Sequence, residues 1–451
     1  MEKLKKDILN KLTPAQLIVV YYFLAVTVST LLLKLPVALR PGVELAFEDA
    51  LFVAASAVSV TGLTPVDISQ TFSLTGYCIL IFVLQFGGIG IMALGTFMWL
   101  IFKKRIGLKE RRLIMTDQNL YSLAGLVALL RQVLFLIIII EAVGTLILGV
   151  YLMRYYANPY EAFFNGLFMA VSATTNGGLD ITGASLTPYA TDYFVQFINI
   201  VLIILGAIGF PVLVEVKNFL FNHNSLAKFQ FTLFTKLTTF TFFGLVIFGT
   251  LLIIILEYKS FFAGKSWHES LFYAFFQSVS TRSGGLSTMD VSQFSEPTLL
   301  ALSALMFIGA SPSSVGGGVR TTTFALNVLF LYHFAKGNKR IKVFKREISE
   351  VDVRKALVVS LTAFFICSCA IFLLTISESF TLTEILFEVC SAFGTTGLSM
   401  GITSELSTFG KFIIILLMFI GRVGIVTFIF MIGGKEKKVN YRYPEERIII
   451  G

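Results

Sequence analysis

Long apolar runs near residues 16–38, 73–102, 127–153, 190–215, 231–257, 297–334, 355–376 and 410–433 decide what this chain can become. Each reaches the roughly 20 residues that a helix needs to cross a bilayer core of about 30 Å. Hydrocarbon offers no partner to backbone N–H and C=O groups, so such runs resolve into membrane helices. Composition agrees. Mean hydropathy is +0.82 and only 14% of the 451 residues are charged, too few for a water-soluble domain of this size.

The net charge of +9 does not point to nucleic acid, because the basic residues sit in short clusters between apolar runs. One cluster (Lys103, Lys104, Arg105, Lys109, Arg111, Arg112) follows the second run, and another (Lys336, Lys339, Arg340, Lys342, Lys345, Arg346) follows the sixth. Lys435, Lys437 and Lys438 follow the eighth, and Lys217 and Lys228 mark the fourth more weakly. Basic connections stay in the cytoplasm, so every even-numbered span exits there and both termini are cytoplasmic. The start, MEKLKKDILNK, is basic, and the apolar stretch from Leu17 to about Leu39 lacks a small-residue cleavage site. It reads as a first span rather than a signal peptide. The four cysteines, Cys78, Cys367, Cys369 and Cys390, lie in apolar surroundings and read as packing residues.

The odd-to-even connections are poor in Lys and Arg, and each holds an apolar segment too short to span: 46–60, 161–175, 267–281 and 382–394. These segments end in SVTGL (Ser59–Leu63), TNGGL (Thr175–Leu179), RSGGL (Arg282–Leu286) and GTTGL (Gly394–Leu398). The Gly-Leu glycines, Gly62, Gly178, Gly285 and Gly397, are 116, 107 and 112 residues apart. A glycine-bearing patch begins its first glycine 25, 28, 24 or 24 residues further on: FGGIG (86–90), LGAIG (205–209), IGASP (308–312) and IGRVG (420–424). Two landmarks kept in register four times predict an internal repeat of span, half-helix, glycine turn and span. The expected architecture is an all-α polytopic membrane protein with eight transmembrane helices. Its repeats occupy 16–112, 113–228, 229–350 and 351–434, flanked by a cytoplasmic N-terminus (1–15) and tail (435–451).

A half-helix that stops inside the membrane ends in unsatisfied carbonyls with partial negative charge. Irregular backbone at that depth is tolerated only when buried or lining a water-filled path. Four such ends on one axis would make a ring of carbonyl oxygens able to replace a cation's hydration shell. Close helix packing is the plainer reading of the glycines, but it leaves the repeated half-helices unexplained.

On these residues the chain resembles the Trk/Ktr/HKT superfamily of potassium transporters, most closely the KtrB-like membrane subunit of bacterial Ktr uptake systems. The carriers are the four span–pore loop–span units, the four glycines and the Gly-Arg-Val-Gly of the last span. The resemblance covers nearly the whole chain. It implies a pseudo-four-fold, K⁺ channel-like pore in the plasma membrane. It also implies a selectivity filter formed by Val60, Thr61 and Gly62; Asn176, Gly177 and Gly178; Ser283, Gly284 and Gly285; and Thr395, Thr396 and Gly397. K⁺ would be held only by backbone carbonyls. Only the first and last repeats have Thr before the glycine (Thr61, Thr396), which implies fewer equivalent ion sites than in a symmetric channel. The resemblance further implies a homodimer in the lipid membrane, sodium as an activator, and a cytosolic nucleotide-binding (RCK-type) regulatory ring.

The sixth run stands apart. Its 38 residues from Pro297 to Phe334 would make roughly 57 Å of helix. Its middle, GASPSSVGGGVR, should break the helix at Pro312 and at Gly316, Gly317 and Gly318. Either this is a kinked helix or a polar break beneath the filter acts as a gate. The resemblance favours a gate loop of Gly309, Ala310, Ser311, Pro312, Ser313, Ser314, Gly316, Gly317 and Gly318. Ser311, Ser313, Ser314 and Arg320 would tether it. Arg422 lies about 12 residues, roughly 18 Å, from the cytoplasmic end of its span, beyond easy snorkelling reach. It is either a barrier in the ion path or half of a buried ion pair. Arg282 should tie down the third pore loop through backbone carbonyls.

Asp67, Asp180, Asp290 and Glu405 follow the four filters and would either gather cations at the mouth or be solvated loop acids. Glu141 reads as a helix–helix partner. Neither GxxxxGK[ST] nor a strand-associated GxGxxG occurs, and His223, His268 and His333 are scattered, so no enzyme site can be built. The expected function is potassium uptake down the electrochemical gradient. The alternative, a potassium-binding subunit of an ATP-driven pump, calls for extra spans and a larger chain.

Overall fold

The computed structural model describes residues 13–90, 126–221, 230–338 and 340–433, with Pro444, Glu446 and Ile448. The basic cluster at 103–112, Lys228, Lys339 and the lysines from 435 onward lie outside the described residues, as does the expected second span beyond residue 90. Helix dominates: the strands among the described residues are β1 (Lys342–Val343) and β2 (Arg346–Glu347), a small antiparallel hairpin.

Four helices are long and apolar enough to cross a membrane unbroken: α1 (Pro14–Leu33), α4 (Leu126–Leu152), α8 (Leu233–Glu257) and α12 (Glu350–Ser377). Each is followed by a shorter helix: α2 (Phe47–Ser59), α5 (Pro159–Thr174), α9 (Trp267–Ser280) and α13 (Leu382–Gly394). The short helices start where the sequence starts them. Asn158, Ser266 and Thr381 cap α5, α9 and α13, the last in a reciprocal capping box with Glu384. All four carry acid in the first turn (Glu48 and Asp49, Glu161, Glu269, Glu384), which favours the positive end of the helix dipole.

The expected even-numbered spans depart from the reading of continuous helices with a single break in the sixth. The pairs α6 (Tyr193–Ala207) with α7 (Phe210–Phe221), and α14 (Thr408–Val423) with α15 (Ile425–Gly433), bend by 106° and 104°. The bends fall at Gly209 and Gly424, whose φ values of 103° and 87° no α-helix can carry. The sixth run divides into α10 (Glu296–Phe307) and α11 (Thr321–Ala335). A further apolar helix, α3 (Leu74–Ile89), ends at Gly90. By length and composition, the described residues thus hold four unbroken spans, or six if each bent pair is one.

Polar ties at one end hold consecutive long helices together. Glu257, at the end of α8, accepts from the Ser295 N–H and hydroxyl at 2.8 and 2.6 Å. Glu378, just past α12, takes the same bonds from Ser407, which caps α14. The Ser73 hydroxyl, capping α3, donates to Val37 O at 2.6 Å. Asp192, capping α6, accepts from the Tyr151 and Tyr155 hydroxyls.

Apolar side chains fill the core and also cover much of the outer surface. The C-terminal halves of α2, α5, α9 and α13 are buried and rich in Ala and Ser (Ala54, Ala55, Ser56, Ser172, Ser278, Ser391). Large apolar side chains such as Phe23, Phe135, Phe248, Phe364 and Phe365 face outward on the long helices. That distribution suits a hydrocarbon solvent, where small residues allow close backbone approach and bulky ones meet lipid.

Candidate functional site

The turns after α2, α5, α9 and α13 share one backbone plan. Two residues before each Gly-Leu glycine, the chain enters the left-handed region: Val60 at φ 56°, Asn176 at 54°, Ser283 at 67° and Thr395 at 47°. The glycines follow at 99°, 61°, 70° and 93°. A β-branched residue rarely accepts such a φ, so Val60 and Thr395 are held there by their surroundings. Serines of the short helices supply the hold. Thr61 N–H donates to Ser56 O at 2.9 Å and Gly62 N–H to Ser56 Oγ at 3.0 Å; Thr396 and Gly397 repeat both bonds on Ser391. Gly177 N–H donates to Ser172 O, and the Ser172 and Ser280 hydroxyls hold the Leu179 and Leu286 carbonyls.

The four turns meet. A Cβ placed on Gly62 would lie 2.8 Å from Gly177 O, and one on Gly178 would lie 2.9 Å from Gly285 Cα. A Cβ on Gly285 would strike Thr396 O, and one on Gly397 would strike Thr61 O. The contacts run first to second, second to third, third to fourth and fourth to first, so the glycines form a closed ring. One side of that ring opens into a cavity of about 550 Å³ lined by all four glycines. Asp67, Asp180 and Asp290 line it too, whereas Glu405 does not.

These aspartates also do local work. Asp67 accepts from Ser69 N–H at 2.8 Å, and Asp290 from Ser292 N–H at 3.0 Å. Asp180 accepts from Thr182 and Ser185. Burial pushes the Asp180 carboxyl above the usual range, only partly offset by hydrogen bonds from Thr182, Ser185 and Gly183.

On the other side of the ring lies the segment 308–320. Its backbone binds the α6–α7 bend: Ser311 N–H donates to Ala207 O at 3.0 Å, Val315 N–H to Gly206 O at 3.3 Å, and Phe210 N–H to Ser313 O at 2.8 Å. Sequence reasoning missed this docking, although the LGAIG patch holds both glycines concerned. Of the four residues expected to tether the loop, Ser311, Ser314 and Arg320 make side-chain bonds that brace the segment internally. The Ser314 hydroxyl donates to Ser311 O at 2.6 Å, and Thr321 Oγ1 donates to Ser311 Oγ at 3.1 Å. Arg320 donates to the Gly316 and Ser311 carbonyls. Ser313 contributes its carbonyl. A Cβ on Gly316 or Gly317 would lie 2.6 Å from the Ser283 or Thr395 side chain, so the loop reaches the third and fourth glycine turns.

Arg422 closes the arrangement. Its guanidinium donates to Val315 O of the loop and to Gly87 O and Gly88 O of α3. These bonds link the loop to α3 through one side chain. Arg282 is fully buried and, as expected, ties the third pore loop to a backbone carbonyl. It donates to Leu305 O near the end of α10, tying the third turn to the divided sixth run, and to Thr281 Oγ1 at 3.4 Å. Glu141 meets expectation, accepting from Gln85 Nε2 at 2.5 Å between α4 and α3.

A family model described as "TrkH: Cation transport protein" matches residues 4–433. The chain belongs to the TrkH family of cation transport proteins. It is 61% identical over 444 residues to the Ktr system potassium uptake protein D of Bacillus subtilis strain 168, with 98% of each chain covered. It is 37% identical over 446 residues to the Ktr system potassium uptake protein B of the same organism, covering 98% of this chain and 97% of that one. The crystal structure of the potassium transporter TrkH from Vibrio parahaemolyticus has the same fold. It superposes with a TM-score of 0.70 at 17% identity, over 91% of this chain and 84% of that one. Family membership and the fold meet the expectation drawn from the glycine repeats. Within the Ktr systems, identity to the protein named D exceeds that to the protein named B.

Proposed function

We propose that this TrkH-family chain takes up potassium ions across the plasma membrane, with the glycine ring as selectivity filter and the 308–320 segment as gate. The carrying observation is the closed ring of four left-handed turns, open to a cavity on one side and covered by a tethered loop on the other. The names of the Ktr relatives support potassium as the ion. A conducting path needs backbone carbonyls at membrane depth and a way to close, and the ring with the adjoining loop could supply both. A membrane potential of 100 mV is worth about 2.3 kcal/mol per charge, enough for roughly 50-fold accumulation without chemistry in this chain.

In this reading Val60, Thr61 and Gly62 and their counterparts at 176–178, 283–285 and 395–397 offer the carbonyls, and the short-helix C-termini add partial negative charge. Arg422 holds the gate loop shut by hydrogen bonds to carbonyls, which also spread its charge. The cavity side faces outward and the termini inward, as the basic clusters suggest. A homodimer, activation by sodium, and a cytosolic nucleotide-binding ring acting on α11 and the basic connections complete the reading, carried over from the superfamily resemblance.

The test is flux of K⁺, Rb⁺ and Na⁺ into liposomes containing the purified chain, with and without a nucleotide-binding partner. Potential-driven K⁺ and Rb⁺ uptake that exceeds Na⁺ uptake is expected. Equal permeation of all three, or none with the partner present, would refute it.

A further inference from the structure

One group that the proposed path does not use is a carboxylic acid inside the fourth pore helix. Glu388 lies on α13, nine residues before Gly397, and is 0% exposed. None of the ion pairs among the described residues includes it. Its oxygens accept from two hydroxyls of the chain leaving the ring: Ser399 Oγ at 2.8 Å and Thr403 Oγ1. Those hydroxyls join each other at 3.0 Å, and Ser399 Oγ also accepts from Gly401 N–H at 3.0 Å. Ser399 and Thr403 both line the outer cavity.

Packing does not ask for an acid there. Counted from the serines that hold the turns (Ser56, Ser172, Ser280 and Ser391), the counterparts of Glu388 three residues earlier are Val53, Met169 and Gln277, all buried and none an acid. Burying a carboxyl without a cation costs free energy that an apolar residue at the same register would not. What Glu388 offers in return is a fixed link between the rigid pore helix and the segment just outside the fourth glycine. The third turn has a fainter version, Ser287 Oγ donating to Gln277 Oε1 at 3.4 Å. Ser287 and Ser399 each sit two residues past their glycine.

We infer that Glu388 is a positioning residue for ion selection: through Ser399 and Thr403 it sets the outer end of the fourth filter segment. The inference rests on the filter reading above. It acts by geometry rather than by charge, so glutamine suffices. A Gln amide keeps a carbonyl acceptor for one hydroxyl and an N–H donor for the other, whose oxygen can accept. Leucine keeps the volume and loses both links.

The experiment measures K⁺ uptake velocity against K⁺ concentration, and its inhibition by Na⁺, in proteoliposomes of equal protein density. Glu388→Leu should raise half-saturating K⁺ about tenfold and weaken Na⁺ discrimination, with maximal velocity little changed. The double variant Ser399→Ala/Thr403→Val should do the same, and it leaves the pore helix untouched if the leucine variant fails to fold. Glu388→Gln should stay within about twofold of the parent. Parental affinity in the double variant, or a glutamine variant as impaired as the leucine one, overturns the inference. So does a fall in thermal stability with affinity and selectivity intact. Gly397→Ser is run in parallel: if it too behaves as the parent, the filter reading has failed rather than the role of Glu388.

Discussion

Gly397 concentrates the demands of the ring in one residue. Its φ of 93° suits only glycine among common residues, and any Cβ would meet the Thr61 carbonyl of the first repeat. Gly397→Ser must therefore displace backbone on two sides of the path. K⁺ uptake should fall at least tenfold or Na⁺ discrimination collapse, read as uptake by cells dependent on this transporter, with membrane insertion unchanged. Arg422 carries the opposite expectation. Its hydrogen bonds to three carbonyls are each worth about 1.5–3 kcal/mol at most, because the donor is charged. Arg422→Ala should release the loop and raise maximal K⁺ flux several-fold while half-saturation stays put; a stable variant with parental flux would falsify its role in closure. Asp180 gives a pH signature. Burial raises its pKa, so the folded chain binds this proton more tightly than the unfolded one. Acidification thus neutralises Asp180 while favouring the fold through this group, and any loss of uptake through it is not denaturation. At subsaturating K⁺, uptake should decline as external pH falls toward the carboxylate range, and Asp180→Asn should flatten that decline.

At the level of elements, the divided sixth run matters most. Backbone bonds to Gly206, Ala207 and Phe210 hold it to the α6–α7 bend, and Arg422 links it to α3. Deleting Ser313–Gly317 removes the stretch that bridges those anchors. Filter selectivity should survive, K⁺ velocity in proteoliposomes should rise, and dependence on a cytosolic partner should fall. Parental velocity in a folded deletion would clear this loop of gating. The break itself was legible in the sequence, because Pro312 and three successive glycines cannot continue a helix. The short helices and their glycine turns were legible for a similar reason, through length and fourfold spacing. The bends at Gly209 and Gly424 were not. Glycines inside an apolar run are ordinary in a membrane helix, and only the φ of Gly209 and Gly424 reveals the corner. Glu388 escaped notice because an acid in a half-helix gives no hint of which hydroxyls it will meet. Arg422 was flagged by its depth, but its acceptors, Gly87 and Gly88, lie more than 300 residues away. No periodicity announces such a contact.

Taken whole, the molecule closes on itself. The turn at Gly397 touches Thr61, so the last quarter of the chain completes a circle begun by the first. Lys411 of α14 reinforces that seam with an ion pair to Asp49 of α2 at 2.7 Å, alongside a Thr408–Glu48 hydrogen bond. Both partners are largely shielded, which raises the pair above the usual surface value of 0–1 kcal/mol. Lys411→Met should lower thermal stability in detergent by a few degrees, and Asp49→Asn combined with it should add little further, the mark of a coupled pair. The seam also orders events during synthesis. A ribosome delivers the quarters one after another, and through the first three the circle has a missing side. A nascent or prematurely terminated chain therefore holds an open ring, because the circle closes only when its newest part finds its oldest.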